Sequence, residues 1–173
     1  MDFDVIVERA TRAIKADESV FVEAGEDEPH TGSAAAIVAV IGLVSGLLNG
    51  TIGAGNFGTS FIGGIVGAFI GWFIGTGIFY LLAKMFGGEG DYMHLLRGNA
   101  YAAVPSALSG VPFLGLLAVL YSAWLYVLSV KGNMNLSTGS AAAVVAIPLV
   151  LVFILIIIFV VIIGVALLGL SAS

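Results

Sequence analysis

Of six basic and eleven acidic residues, only Lys84, Glu89, Asp91, Arg97 and Lys131 lie beyond position 28. They sit at the seams between long runs of Ala, Val, Ile, Leu, Phe and Gly. A water-soluble fold needs polar surface along its whole length, and this chain offers almost none after residue 33. A helix needs about 20 apolar residues to cross the hydrocarbon core, and only helices or closed barrels satisfy their backbone there. A barrel strand alternates apolar and polar positions, whereas residues 149–161 are apolar throughout. The expected class is therefore an all-α membrane protein, integral to the cell membrane and multi-pass.

The net charge of −5 comes from the N-terminal segment, where nine acids face Arg9, Arg12 and Lys15. That excludes the basic footprint of a nucleic-acid binder. With no cysteine there is no disulfide or thiolate chemistry, and the first 30 residues lack the apolar core of a signal peptide. Residues 2–16 read as an amphipathic helix, with Phe3, Ile6, Val7, Ala10, Ala13 and Ile14 on one face and Asp2, Asp4, Glu8, Arg9, Arg12 and Lys15 on the other. Two roles suit it: docking a protein partner or the bilayer surface, or covering the cytoplasmic ends of the protein's own helices. Residues 17–33 follow as an acidic linker. The expected organisation is a cytoplasmic arm, 1–33, and a transmembrane domain, 34–173.

Spans are predicted near 34–48, 61–82, 92–109, 113–130 and 140–168. The third is ambiguous, because 92–130 also reads as one broken span. Asp91 is placed to cap a helix starting at Tyr92, 110–112 make a turn, and Pro148 is expected to kink the last span. The basic residues arbitrate. With five spans, the arm, the 84–97 loop and the Lys131 loop share one side, and all six basic residues fall there. The positive-inside rule makes that side cytoplasmic, with the N-terminus in and the C-terminus out. With four spans, Lys131 would lie outside.

Glycine is the most patterned residue. Gly42, Gly46 and Gly50 recur every fourth position on the first span, and Gly63, Gly67, Gly71 and Gly75 do so on the second. Such stripes let helix backbones approach closely. They are expected to pack the first two spans together, the sharper alternative being an oligomer seam or pore wall. Gly53-Ala54-Gly55-Asn56-Phe57-Gly58 matches G-x-G-x-x-G but follows no strand, and the acid that should lie about 20 positions on is Ile78. It reads as a flexible loop. Glu89, Asp91 and His94 are close enough in sequence for a metal, but helix capping and an interfacial histidine explain them. No charged residue falls in mid-span, which argues against an ion-coupled pump. No nucleophilic triad, HExxH or Walker loop is present, so neither an enzyme nor a cofactor is expected.

Gly87-Gly88-x-Gly90, then Asn99-Ala100-Tyr101-Ala102-Ala103-Val104-Pro105, then Tyr121-Ser122-Ala123-Trp124, and Lys131-Gly132 before Pro148 carry a resemblance over nearly the whole chain. In them the chain resembles the YIP family, the Ypt/Rab-interacting proteins with the Yip-one domain, in its bacterial or archaeal form. The resemblance implies five spans with a cytosolic N-terminus. It also implies a non-enzymatic role in organising protein partners or lipids, trafficking-like in eukaryotic members, which bind Rab-type GTPases through the cytosolic segment. Their Asp-Leu-Tyr-Gly-Pro motif is absent here. The alternative function is an uncoupled channel, or a small-solute or lipid pathway, lined by the glycine ladders.

Overall fold

The structure is a computed structural model that describes residues 3–52 and 56–171, with side chains to Ile163. The Gly53–Gly55 part of the glycine motif lies outside these residues. Among the described residues every regular element is helical: α1 (Phe3–Ile14), α2 (Glu18–Glu26), α3 (Thr31–Thr51), α4 (Phe57–Met85), α5 (Tyr92–Ala102), α6 (Leu114–Met134) and α7 (Thr138–Ser171). Two 3₁₀ segments, Glu28–His30 and Val104–Gly110, precede α3 and follow α5. Four helices are long and apolar enough to cross a membrane: 28–51, 57–85, 114–134 and 138–163.

The first correction concerns residues 17–33. They are not a linker: Glu18–Glu26 is helical, and Val20, Phe21, Ala24 and Gly25 are buried. Asp17 starts the helix by accepting from the Ser19 amide at 3.2 Å. Val20 and Phe21 are fully buried, and each such side chain contributes about 1.5–3 kcal/mol. The acids drew attention from an i, i+1, i+4, i+5 apolar stripe. Asp27 and Glu28 then lead through a 3₁₀ turn, with Pro29 near its start, directly into α3.

The third expected span is not one helix. α5 stops at Ala102 because Pro105 has no N–H to give and its ring would collide with the carbonyl four residues back. The chain continues as the 3₁₀ segment, tied by Ser106 N–H to Ala103 O at 2.9 Å and Ser106 Oγ to the same carbonyl at 2.6 Å. It packs between α3 and α6, with Gly110 buried and Leu108 exposed. The segment starts beside the C-terminal ends of α4 and α6, where Tyr92 stacks edge-on against Tyr80 and the Glu89 amide donates to Met134 O at 3.1 Å. It finishes at the opposite end, where a side chain on Gly110 would come within 2.7 Å of Asn49 N in α3.

Two buried clusters hold the bundle. One joins the arm to α3, α4 and α5 through Phe21, Ile37, Trp72, Leu96 and Tyr101. The other joins α4, α5, α6 and α7 through Ala83, Leu95, Val130, Met134 and Val144. Pro148 lies inside α7, and from Leu149 to Ile163 every side chain is exposed. The first turns of α7 therefore anchor it, and the rest presents a wholly apolar surface that only lipid or another apolar surface can cover.

Candidate functional site

The α3 ladder packs. A Cβ on Gly42 would lie 2.8 Å from Gly64 O and from Ile65 Cα, one on Gly46 2.8 Å from Ser60 O, and one on Gly50 2.9 Å from Phe57 Cα. Its partner stripe on α4 is Ser60, Gly64 and Ala68. Gly63, Gly67, Gly71 and Gly75 have nothing within 4 Å of where a Cβ would stand. The α4 ladder expected against α3 is thus rotated off that contact by one position. The doublet Gly63-Gly64 offers two parallel small-residue stripes, and spacing alone does not choose between them.

The freed ladder walls a cleft. α4 and α6 meet at Phe79 and Tyr126, whose rings stand edge-to-face with centroids 5.5 Å apart, and they hardly touch elsewhere. Beside this contact lie two adjoining cavities of about 410 and 170 Å³ that share Gly71, Trp72 and Tyr126, with α6 contributing Tyr126 to both. Gly63, Gly67 and Gly71 form one wall of the larger, Val38, Ile41 and Ser45 of α3 another, and Ala103, Ser106 and Ser109 a third. The smaller reaches Gly75, Thr76 and Phe79. Trp72 is fixed by its indole N–H, which donates to Leu96 O at 2.7 Å. Asn99 Nδ2 donates to Thr76 Oγ1 at 3.1 Å, while Asn99 Oδ1 and Ser122 Oγ, both buried, have no partner among the described residues. A third hollow of about 350 Å³, almost wholly apolar, lies between α1, α3 and the second 3₁₀ segment.

The arm is clamped to the bundle. Arg97, only 5 % exposed, donates from NH1 to Gly25 O at the C-terminal end of α2, where a cation meets the negative end of the helix dipole. Asn133 Nδ2 donates to Phe21 O and Ser129 O, each at 3.0 Å. Gly25, Gly90 and Gly98 close around Asn133, since a Cβ on any of them would collide with it. Lys131 pairs with Glu18, and Tyr121 Oη donates to Ile14 O at 2.7 Å. Within the arm Arg12 bridges Asp17 at 2.8 Å and Glu23 at 2.7 Å, and its hydrogen bonds hold both carboxyls below their ordinary range. Burial pushes the Asp27 carboxyl up, but His30 and Arg9, each at 2.7 Å, more than offset this and leave it lowered. On α1, Ala13 is buried whereas Phe3, Val7 and Ile14 are exposed.

The motif residues have local reasons. Gly87 adopts φ +84° and ends α4 in a Schellman turn, with Gly88 N–H to Ala83 O at 2.8 Å and Gly87 N–H to Lys84 O at 3.1 Å. Gly88 and Gly90 let this turn lie against Met134 and Asn133. Tyr101 is buried, Pro105 breaks α5, and Trp124 is 46 % exposed on α6. Asp91 caps α5 through the Met93 amide at 2.9 Å, and among the described residues no three His, Asp or Glu side chains gather as metal ligands. Sequence reasoning missed the Thr76–Asn99 pair and Asn133. Thr76 is one short polar residue in an apolar run and Asn133 one of several polar residues after Lys131, and partners 23 and 112 positions away leave no local signal.

Compared with known proteins, residues 17–162 match the family model of the Yip1 domain. No curated protein and no solved structure shows a significant match. The matched region begins at the Asp17 cap of α2, so it takes in the clamped helix together with the bundle.

Proposed function

The chain belongs to the Yip1-domain family of membrane proteins, and from that premise we propose that it is a non-enzymatic, prokaryotic-type, multi-pass protein of the cell membrane. In this reading it organises lipids or membrane-embedded partners through its bilayer-facing surface. The observation that carries it is the clamp of Arg97 and Asn133 on α2, which ties the arm into the bundle and leaves the cleft beside α4 and α6 as an accessible concave surface on the bundle.

Five crossings fit this arrangement. The eleven residues of α5 and seven of the 3₁₀ segment, at about 1.5 and 2.0 Å each, together span about 30 Å, the thickness of the hydrocarbon core. With that crossing, the five basic residues outside α5 are cytoplasmic, Arg97 lies near the cytoplasmic start of the crossing against the arm, and the C-terminus is outside. A membrane-impermeant thiol label on Ser173→Cys should react in intact cells; labelling only after lysis would rule the topology out. Native mass spectrometry after mild extraction tests the role. Lipids or membrane proteins should remain bound when residues 1–16 are removed, and loss of everything retained would move the function back to the arm.

A second reading, an uncoupled pathway for small solutes or lipids, draws on the polar groups in the cleft walls, Ser45, Thr76, Ser106 and Ser109. Reconstituted liposomes separate the two. Flux abolished by Gly67→Leu favours the pathway, and no flux of any tested solute favours the organiser.

A further inference from the structure

Thr76 is 2 % exposed, lines the smaller cavity, and accepts from Asn99 Nδ2. Among the described residues its own hydroxyl proton has no acceptor. The Asn99 bond uses the oxygen as an acceptor and leaves the hydroxyl proton free to turn toward the cleft, whose nearer wall is glycine. The other polar atom of that amide, Asn99 Oδ1, is buried and among the described residues has no partner. An unmet donor at such depth is costly, so the site calls for an oxygen that the protein does not supply.

We propose that the cleft is a binding site for one membrane lipid, with an acyl chain lying along Gly63, Gly67 and Gly71 and an ester, ether or hydroxyl oxygen accepting the Thr76 proton. The proposal rests on the membrane-face reading above and gives it a ligand. Three features select a lipid over a second copy of this chain. The larger cavity, about 410 Å³, equals roughly one turn of a helix about 10 Å across, too little to seat a partner helix. The exposed faces that a second copy would offer, residues 149–163 of α7 and Ile62, Val66 and Ile70 of α4, carry no side-chain acceptor. The walls hold no charge, and bare glycine with Trp72 and Tyr126 suits the flexible contour of a hydrocarbon chain.

Trp72 reports on the site, and the Trp124→Phe variant makes it the single tryptophan. In vesicles of phosphatidylcholine brominated along its acyl chain, Trp72 fluorescence should be quenched. Adding Gly67→Leu and Gly71→Leu should relieve that quenching, while the surrounding lipid contributes equally to both proteins. Because nothing lies within 4 Å of either position, these variants should melt no lower than the parent; Gly67→Ala with Gly71→Ala is a milder filling that should relieve quenching in part. In detergent micelles, where the brominated lipid competes with detergent and not with its own unbrominated form, Thr76→Val should raise the lipid concentration needed for half-maximal cleft quenching about fivefold, the worth of one neutral hydrogen bond. Equal quenching with and without the leucines overturns the site. So does a dimer that leaves Trp72 unquenched and separates on leucine substitution. An unchanged Thr76→Val curve overturns the oxygen contact. If native mass spectrometry still shows retained lipid when the quenching difference is absent, the cleft proposal fails alone; if no lipid is retained either, the membrane-face reading fails with it.

Discussion

Alanine at Gly64 and at Gly67 should shift stability in opposite directions, although both are helical glycines three positions apart on α4. At Gly64 the new Cβ would lie 2.5 Å from Gly42 O, 2.7 Å from Gly46 Cα and 2.9 Å from Gly46 N. All three neighbours are backbone, so no side chain can turn aside and α3 itself must move. Overpacking of this kind costs about 1–3 kcal/mol, and the upper end applies here. Alanine recovers about 1 kcal/mol of helix propensity, leaving Gly64→Ala destabilised by about 1–2 kcal/mol. At Gly67 nothing is within 4 Å, so only the gain remains, about 0.4–1 kcal/mol. For a chain of this length 1 kcal/mol moves Tm by about 2–4 °C, so the two variants should separate by several degrees on opposite sides of the parent. Thermal melting in one detergent at one protein concentration reads the difference. Equal shifts, or a larger loss at Gly67, would refute the assignment of the packed stripe to Ser60, Gly64 and Ala68.

Asn133→Ala removes the donor to Phe21 O and Ser129 O; leaving buried carbonyls unmet costs about 1–3 kcal/mol, and limited proteolysis should show faster cleavage between α1 and α2 with the bundle intact. Gly98→Ala should release the arm in the same way, because its Cβ would lie 2.5 Å from Asn133 Nδ2 and 2.8 Å from Phe21 O. The carboxyls of Asp17, Glu23 and Asp27 are lowered in the folded arm, so their stabilisation is complete above the unfolded carboxylate range, near pH 4, and is lost as pH falls through the folded values. The protection factor of the α2 amides, with the intrinsic pH dependence of exchange divided out, should therefore stay constant from neutral pH down to about 5 and fall below about 4, and Arg12→Gln should flatten that response; a protection factor that falls on raising the pH would contradict it.

The class, the helix order and most boundaries were legible because membrane-length apolar runs are a strong local signal. α4 extends only a few residues past its predicted ends, and Asp91 caps the helix it was expected to cap. The hidden parts were those where local composition and tertiary context disagree. The stretch 17–33 has the acids of a linker, yet two of its carbonyls meet Arg97 and Asn133 from distant segments. Gly63 and Gly64 belong to two equally good stripes, and the choice depends on the rotation of α4 against α3, which spacing alone does not encode. The Thr76–Asn99 pair was invisible for a related reason. Each residue alone is an ordinary polar position in a helix, and only the fold brings donor and acceptor together.

α5 links the clamp to the cleft. Within two turns it presents Arg97 to Gly25 O of the arm, Leu96 O to the Trp72 indole, and Asn99 Nδ2 to Thr76. A regular helix moves these groups as one body, since changing their relative positions would break its own hydrogen bonds. An occupant that draws Thr76 and Trp72 into the cleft therefore pulls on the helix that holds α2, and release of α2 frees the helix that positions Thr76. Any such coupling is reciprocal: it must tighten or loosen arm and cleft by the same factor. Asn133→Ala, which loosens the arm without touching the cleft, accordingly provides the direct check. Cleft quenching of Trp72 should change with arm release if α5 moves as a unit, and a loosened arm beside unaltered quenching would show that the two sites are independent.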